Sequence, residues 1–243
     1  MKKLLLIILL LPASFTGYSC LNLYGEDIHG NQHFLEHRHF ETTTFNAKEI
    51  KKRMEVLSSK LSGNQNNYRD VSDYGVYMLM AGKYADGLAL FREMVKKYPN
   101  EYNINQNLGT AFELNGMADS AFQYIKKGYL LNPRSHRGSE WMHIRYLETV
   151  LGKQELDYTK FTLLDTTAIG AIKNGDKGTP AHFFELDEVF NEINYQLNER
   201  IPFTLGKDEV LAKLLTETGD LYAEKFSVTR AHTCYLYAQY FTA

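Results

Sequence analysis

Histidines crowd the N-terminal part of the chain, which holds His29, His33, His37 and His39, half of the eight in the sequence. His33 and His37 would share one face of a helix, whereas His37 and His39 would share one face of a strand. Either spacing can present two imidazoles to a metal ion such as zinc. The alternative is an exposed polar arm that happens to be rich in histidine. We favour that alternative and expect no cofactor, with His33, His37 and His39 as weak metal candidates.

The same segment contains a short pattern that some metalloproteases use. Residues 33–37 read His-Phe-Leu-Glu-His and fit the H-x-x-E-H motif of the inverzincins. That family needs the motif on a well-formed helix within a large catalytic domain. Here Gly25 and Gly30 break helices, and the three threonines at 42–44 favour extended chain. The sequence therefore predicts a short strand, a hairpin or an irregular arm over 20–45.

Other catalytic arrangements do not stand out in the sequence. Gly138-Ser139 lacks the Gly-x-Ser-x-Gly pattern of a nucleophile elbow. Gly170, Gly175 and Gly178 lack the Lys and the Ser or Thr of a phosphate-binding loop. We therefore predict that the protein is not an enzyme. A metal-dependent enzyme or metal sensor that uses the histidine-rich arm is the alternative.

Residues 1–19 have the organisation of a secretory signal peptide. Two lysines follow Met1, an apolar run extends from Leu4 to Leu11, and small residues come next. Ordinary cleavage would fall before Cys20. Alternatively, Cys20 is the lipidated first residue of a bacterial lipoprotein, although Gly17 departs from the usual lipidation motif. The sequence thus predicts an exported protein, periplasmic or associated with the cell envelope.

The charge and cysteine content exclude several classes of protein. Without residues 1–19 the chain would carry 25 basic and 29 acidic residues, a net charge of −4. This mild acidity argues against nucleic acid as the main partner. No apolar run approaches the roughly 20 residues that cross a bilayer. Cys20 and Cys234 permit one disulfide bridge but no disulfide framework.

Two copies of a 34-residue unit occupy 68–101 and 102–135. A fixed period of this length indicates a helical repeat. Small residues recur where two antiparallel helices would cross, large apolar residues recur beside them, and a proline ends each second helix. The equivalent pairs, each 34 residues apart, are Gly75 and Gly109, Gly87 and Ala121, Phe91 and Ile125, and Pro99 and Pro133.

These positions resemble the tetratricopeptide repeat (TPR) family. The second copy carries Leu108-Gly109, Phe112, Ala121, Ile125, Gly128 and Pro133; the first carries Tyr74-Gly75, Met78, Gly87, Phe91, Met94 and Pro99. The resemblance covers 68–135, less than a third of the chain. It implies an all-α fold, namely a right-handed superhelical stack of antiparallel helical hairpins (a TPR-like solenoid), preceded by a short non-helical arm.

The resemblance also implies a binding groove. In this family the first helix of each hairpin lines a concave surface that binds a protein or peptide. The partner-binding residues carried over to this chain are Arg69, Ser72, Asn103, Gln106, Asn107, Thr110, Arg137, Glu140 and Trp141. Further groove positions fall on Asp73, Val76, Leu79, Glu113 and Ile144. The amides could pair with a peptide backbone and Trp141 could anchor a side chain, or the face is merely solvated and Trp141 packs in the core.

The flanking segments are predicted to be helical as well. Residues 46–67 form an N-terminal capping helix and loop, with Asn46 as the N-cap. Residues 136–211 form degenerate helical repeats with a loop near 170–180. Residues 212–243 form a C-terminal TPR-like hairpin. The second half includes a helix at 181–199 whose apolar residues repeat at intervals of three and four.

Taken together, these features predict an exported scaffold that binds a protein or peptide in the groove of its repeats. A structural component of the envelope, with the repeats as a spacer, is a further alternative.

Overall fold

The computed structural model describes residues 24–34, 46–62, 68–153, 156–158, 161–164 and 186–243. This part of the chain is predominantly α-helical, as the sequence predicts. It contains nine α-helices and one small two-stranded sheet. The elements are β1 (Tyr24–Glu26), β2 (Gln32–Phe34), α1 (Ala47–Ser62), α2 (Tyr68–Met80), α3 (Tyr84–Lys97), α4 (Tyr102–Leu114), α5 (Ala118–Leu131), α6 (Glu140–Val150), α7 (Leu186–Arg200), α8 (Glu209–Lys225) and α9 (Val228–Thr242).

Several predicted features lie outside the described residues. They are the signal peptide at 1–19, Cys20, His37, His39 and the loop at 170–180. None of the described helices is both long and apolar enough to cross a membrane.

The N-terminal hairpin docks on the far end of the chain. β1 and β2 pair antiparallel, with Gly25 opposite His33. The Asp27 carboxylate accepts hydrogen bonds from backbone N–H groups in the turn, and Ile28 N donates to Ala223 O at 2.9 Å. β1 also contacts α9. His33 therefore lies in a strand, and the H-x-x-E-H pattern does not begin on a helix.

Helix α1 begins where the sequence predicts. The side-chain oxygen of Asn46 accepts from the backbone N–H of Lys48 at 3.1 Å and of Glu49 at 3.2 Å, which satisfies two free donors of the first turn. Ile50 and Leu57 are buried, and α1 packs on α2.

Three helical pairs, α2 with α3, α4 with α5 and α8 with α9, cross in the same way. A Cβ atom added to Gly75 would lie 2.8 Å from Phe91, and one added to Gly109 would lie 2.6 Å from Ile125. A Cβ atom on Gly219 would lie 2.5 Å from Tyr235. In each pair the large residue follows the glycine by sixteen positions. Because no side chain fits at these points, glycine sets how closely the two helices approach.

The turns of the first two pairs are also alike. Gly82 and Gly116 have φ of 75° and 74°, a left-handed conformation that glycine adopts without strain. In the first turn Lys83 N donates to Met78 O, and the equivalent bond in the second joins Met117 N to Phe112 O, both at 2.9 Å. The two 34-residue units thus share local geometry as well as sequence.

The packing order changes after α6. Helices α1 to α6 each pack on the next helix in the chain, and α6 then contacts both α7 and α8. Trp141 and Leu147 of α6 are fully buried in one core with Phe190 of α7 and Tyr222 of α8. The C-terminal half therefore covers a face of α6.

The crossing at Gly109 makes a prediction for stability. Gly109→Ala should lower the free energy of unfolding by about 1–3 kcal/mol, because the new methyl group meets Ile125, including its backbone N at 3.0 Å. Urea unfolding measures the loss. Lys127→Ala, at an exposed position of α5, should change stability by less than about 0.5 kcal/mol. Equal stability of Gly109→Ala and the parent protein would contradict the close approach.

Candidate functional site

A cavity of about 430 Å³ lies where α4, α6, α7 and the segment after α7 meet. Its lining combines many ionisable side chains with a few apolar ones. The polar residues of the lining are Thr110, Glu113, His136, Glu140, His143, Tyr146, Gln196, Glu199, Arg200, Thr204, Lys207 and Asp208. The apolar contribution comes from Tyr84, Leu114, Phe203 and Leu205, and Leu205 is 85% exposed.

The Glu113 carboxylate joins three helices at the cavity. His143 Nε2 donates to its Oε2 at 2.6 Å, and Arg200 Nη1 donates to its Oε1 at 2.5 Å. Burial alone would raise the pKa of Glu113. The positive charges of Arg200 and His143 outweigh burial and hold that pKa far below its ordinary range. Glu113 is therefore ionised, and it ties the end of α4 to α6 and α7.

A second carboxylate, Glu140, lies in the first turn of α6 and is only 2% exposed. Its Oε1 accepts from His136 Nδ1 and, at 3.4 Å, from Gln196 Nε2. Its Oε2 accepts no hydrogen bond and lies 3.7 Å from His143 Nδ1. Burial raises the pKa of Glu140, but the neighbouring imidazoles of His136 and His143 lower it overall to about 2.

The neighbouring carboxylates raise the pKa of both histidines. Burial lowers the pKa of His143, but the charge and hydrogen bond of Glu113, together with Glu140, raise it, so the net shift is upward. His136 behaves in the same way through its hydrogen bond to Glu140. His136 is 40% exposed, and its Nδ1 is engaged with Glu140. Acids and bases therefore alternate along the buried side of the cavity.

The network continues to the start of α8. The guanidinium of Arg200 lies 3.6 Å from the ring centroid of Tyr146, a favourable cation–π distance. Tyr146 O–H donates to Asp208 Oδ2 at 2.7 Å. The other carboxylate oxygen of Asp208 accepts from Leu211 N at 2.8 Å and caps α8. Four helices are thus coupled through one set of polar contacts.

The turn before α6 has an uncommon backbone conformation that places His136 beside Glu140. His136 and Arg137 have φ of 49° and 58°, and Gly138 follows with 82°. Left-handed angles cost about 1–2 kcal/mol for a residue with a Cβ atom. The turn is held by Gln106 Nε2, which donates to Ser135 Oγ at 2.7 Å, and by Ser139 Oγ, which donates to His136 O.

The structure corrects part of the predicted groove. Trp141 is fully buried, and its Nε1 donates to Glu192 Oε2 at 2.5 Å, so its role as an exposed anchor is wrong and it packs in the core. Ser72, Gln106 and Glu140 are also buried, at 3%, 2% and 2% exposure. Trp141 and Glu140 of α6 are buried because α7 covers the face that the TPR pattern would leave open.

The remaining predicted groove residues lie in different surroundings. Thr110, together with Glu140, lines the cavity. Asn107 donates its amide to Ser72 Oγ at 3.1 Å, so that amide is engaged within the protein. Arg69 and Arg137 lie beside the rings of Tyr68 and Tyr195, respectively. Asn103 lies on α4, half-buried, and its side-chain oxygen accepts no hydrogen bond.

Most of the cavity has no signal in the sequence. Glu113 falls at a predicted groove position, and His143 stands where the repeat pattern has a small residue; together these two residues are the signal in the sequence for the cluster. Its other members, His136, Arg200 and Asp208, come from segments without repeat character.

Metal binding receives no support from the described part of the chain, where no group of three or more His, Cys, Asp or Glu side chains could hold a metal ion. His33 lies in β2.

No protein-family model matches this chain, and no curated protein is significantly similar to it.

The geometry around Glu113 predicts a large loss of stability when its charge is removed. Glu113→Gln should lower the free energy of unfolding by about 3–5 kcal/mol, because the buried His143 and the partly buried Arg200 would lose their counterion. The control is Glu93→Gln, which removes an exposed pair with Lys96 and should cost less than about 1 kcal/mol. Similar losses in the two variants would contradict a structural role for Glu113.

The raised pKa of His143 predicts how its contribution depends on pH. A group whose pKa is higher in the folded state stabilises the protein fully below its ordinary value, here 6.5, and loses this effect as the pH rises through the folded value. The stability difference between the parent protein and His143→Gln should therefore be largest near pH 5–6 and shrink by pH 9. Urea unfolding at several pH values measures it. His232→Gln, at an exposed position, should show no such trend.

Proposed function

We propose that this protein is an exported, TPR-like helical-repeat protein that binds a peptide or protein, and that binding is centred on the cavity between α4, α6 and α7. The observation that carries the proposal is the cavity itself. A concave site of about 430 Å³ falls within the range of known ligand pockets and suits one long side chain with its adjoining backbone.

Two observations support the repeat part of the proposal. The glycine crossings at Gly75, Gly109 and Gly219 share one geometry, and the turns at Gly82 and Gly116 share another. Stacked helical hairpins present curved surfaces on which other proteins bind. The signal-peptide pattern at 1–19 supports export, with lipidation of Cys20 as the alternative to ordinary cleavage before it.

The lining of the cavity favours binding over catalysis. Glu113 and His143 contact each other directly, and Arg200 is paired with the same carboxylate. These groups neutralise one another and leave no pair of a nucleophile and a free base. Around them, Leu205, Phe203 and Tyr84 offer apolar surface at the mouth, which suits a partner that inserts a side chain.

The proposal predicts that filling the cavity abolishes binding. Peptides selected from a displayed random library on the parent protein should bind Thr110→Phe at least about tenfold more weakly, because the ring occupies the space that the peptide needs. Fluorescence anisotropy of labelled peptides measures the change. Thr229→Phe, at an exposed position of α9, is the matched control and should bind as the parent does.

If the selected peptides bind Thr110→Phe and the parent protein equally, the cavity is not the binding site. A circular-dichroism melt of each variant separates loss of binding from loss of folding.

A further inference from the structure

The exposed side of α5 carries positive charge that no described carboxylate balances. Lys126 and Lys127 of α5 and Arg134 of the following turn are exposed, and none of them forms an ion pair within the described part of the chain. No acidic residue occurs from 120 to 139, although the whole chain has a net charge of −2. The single acidic residue of α5, Asp119, lies about two helical turns before Lys126. Positive charge is therefore concentrated locally on this side of the helix.

The segment after α6 adds a further cation. Lys153 is exposed, and its Nζ lies 3.6 Å from the ring centroid of Phe122 on α5. Lys126 Nζ lies 5.7 Å from the same centroid. The two ammonium groups thus approach one aromatic ring, which gives each a favourable cation–π contact but no counterion. Lys153 forms no ion pair with any described residue either.

Two exposed leucines lie beside these cations. Leu130 is 65% exposed and Leu131 is 42% exposed, both in the last turn of α5. Residues three and four apart are neighbours on a helix surface, so Leu130 lies next to both Lys126 and Lys127. Long basic side chains can extend past such apolar groups and keep their charge in a polar layer. This side of α5 therefore combines unbalanced cations with aliphatic surface.

That combination fits an anionic membrane surface better than other polyanions. Protein segments that lie on membranes bury aliphatic side chains at the boundary between headgroups and acyl chains, while Lys and Arg contact the anionic headgroups. Nucleic acid offers phosphates but no aliphatic layer for the leucines. An acidic protein segment likewise supplies carboxylates without an apolar layer beneath them. The membrane supplies both.

We propose that this surface docks the protein on a membrane that contains anionic phospholipid. The basic face, as we name it, consists of Lys126, Lys127, Leu130, Leu131, Arg134 and Lys153. Each cation held near an anionic surface strengthens binding about fivefold, so four together give a strong and salt-sensitive attachment. The inference goes beyond the proposed function, because none of the residues that line the cavity belongs to α5.

The test measures binding of the processed protein to vesicles by flotation. Residues 1–19 are removed and Cys20→Ser is present throughout, so that neither the apolar run of the signal peptide nor a lipid on Cys20 contributes. Vesicles of phosphatidylethanolamine with about 30% phosphatidylglycerol should bind the protein at least about tenfold more tightly than vesicles of phosphatidylcholine. Raising the salt to about 0.5 M should weaken this binding.

Two double variants separate the basic face from general attraction. Lys126→Gln with Lys127→Gln should weaken binding to the anionic vesicles at least about tenfold. Lys51→Gln with Lys52→Gln removes the same charge from exposed positions of α1 and should bind within about twofold of the parent protein. Leu130→Gln should weaken binding about threefold or more, because its side chain no longer enters the apolar layer.

Absence of binding to the anionic vesicles, or equal weakening by the two double variants, would overturn the inference. Undiminished binding by Leu130→Gln would do so as well, because the face would then attract anions in general. Binding of soluble polyglutamate without binding of the vesicles would assign the basic face to an acidic protein instead of a membrane.

Failure of this inference and failure of the proposed function give different results. Thr110→Phe should bind the anionic vesicles as the parent does, and Lys126→Gln with Lys127→Gln should bind the selected peptides as the parent does. If vesicle binding is absent while Thr110→Phe loses the peptides, only the membrane inference fails. If vesicle binding behaves as expected while Thr110→Phe keeps the peptides, only the proposed binding cavity fails.

Discussion

The partly buried carboxylate of Glu113 is the contact on which the arrangement of the helices around the cavity depends. It belongs to the last turn of α4, accepts from His143 on α6 and accepts from Arg200 at the end of α7. Arg200 in turn lies over Tyr146, whose hydroxyl donates to the capping residue of α8, Asp208. A buried charge is tolerated only when all its partners are in place. The end of the regular stack and the packing of the C-terminal half are thereby fixed relative to each other.

The features that the sequence predicted are those set by contacts between near neighbours. The repeat pattern and the glycines at the crossings are set by contacts within one helical hairpin. The Asn46 cap is set by contacts within the first turn of α1. Gly109 and Ile125 are sixteen residues apart, and their contact follows from the antiparallel geometry of one hairpin. Burial of the apolar stripe of α7 was also predictable, because its Phe190, Ile193 and Leu197 recur on one face.

The cavity depends on contacts that a repeat pattern does not encode. Glu113 and Arg200 are 87 residues apart, and Trp141 and Glu192 are 51 apart. The family pattern assumes that the inner face of the third hairpin stays open to a partner. Here α7 packs on that face, so Trp141 becomes core, while the end of α7 brings Glu199 and Arg200 to the cavity. The same helix thus removes one predicted site and builds another.

The chemical make-up of this region is costly for a purely structural interface. Apolar residues of similar volume often stabilise a buried interface as well as an ion pair does, or better. The turn at His136 and Arg137 adds backbone strain, and such strain tends to persist where the surrounding structure serves a function. The strained turn puts His136 beside Glu140, at the cavity, and the other oxygen of Glu140 accepts no hydrogen bond. Strain, buried charge and an incomplete set of hydrogen bonds therefore coincide at one place, which is the place where we propose that a partner binds.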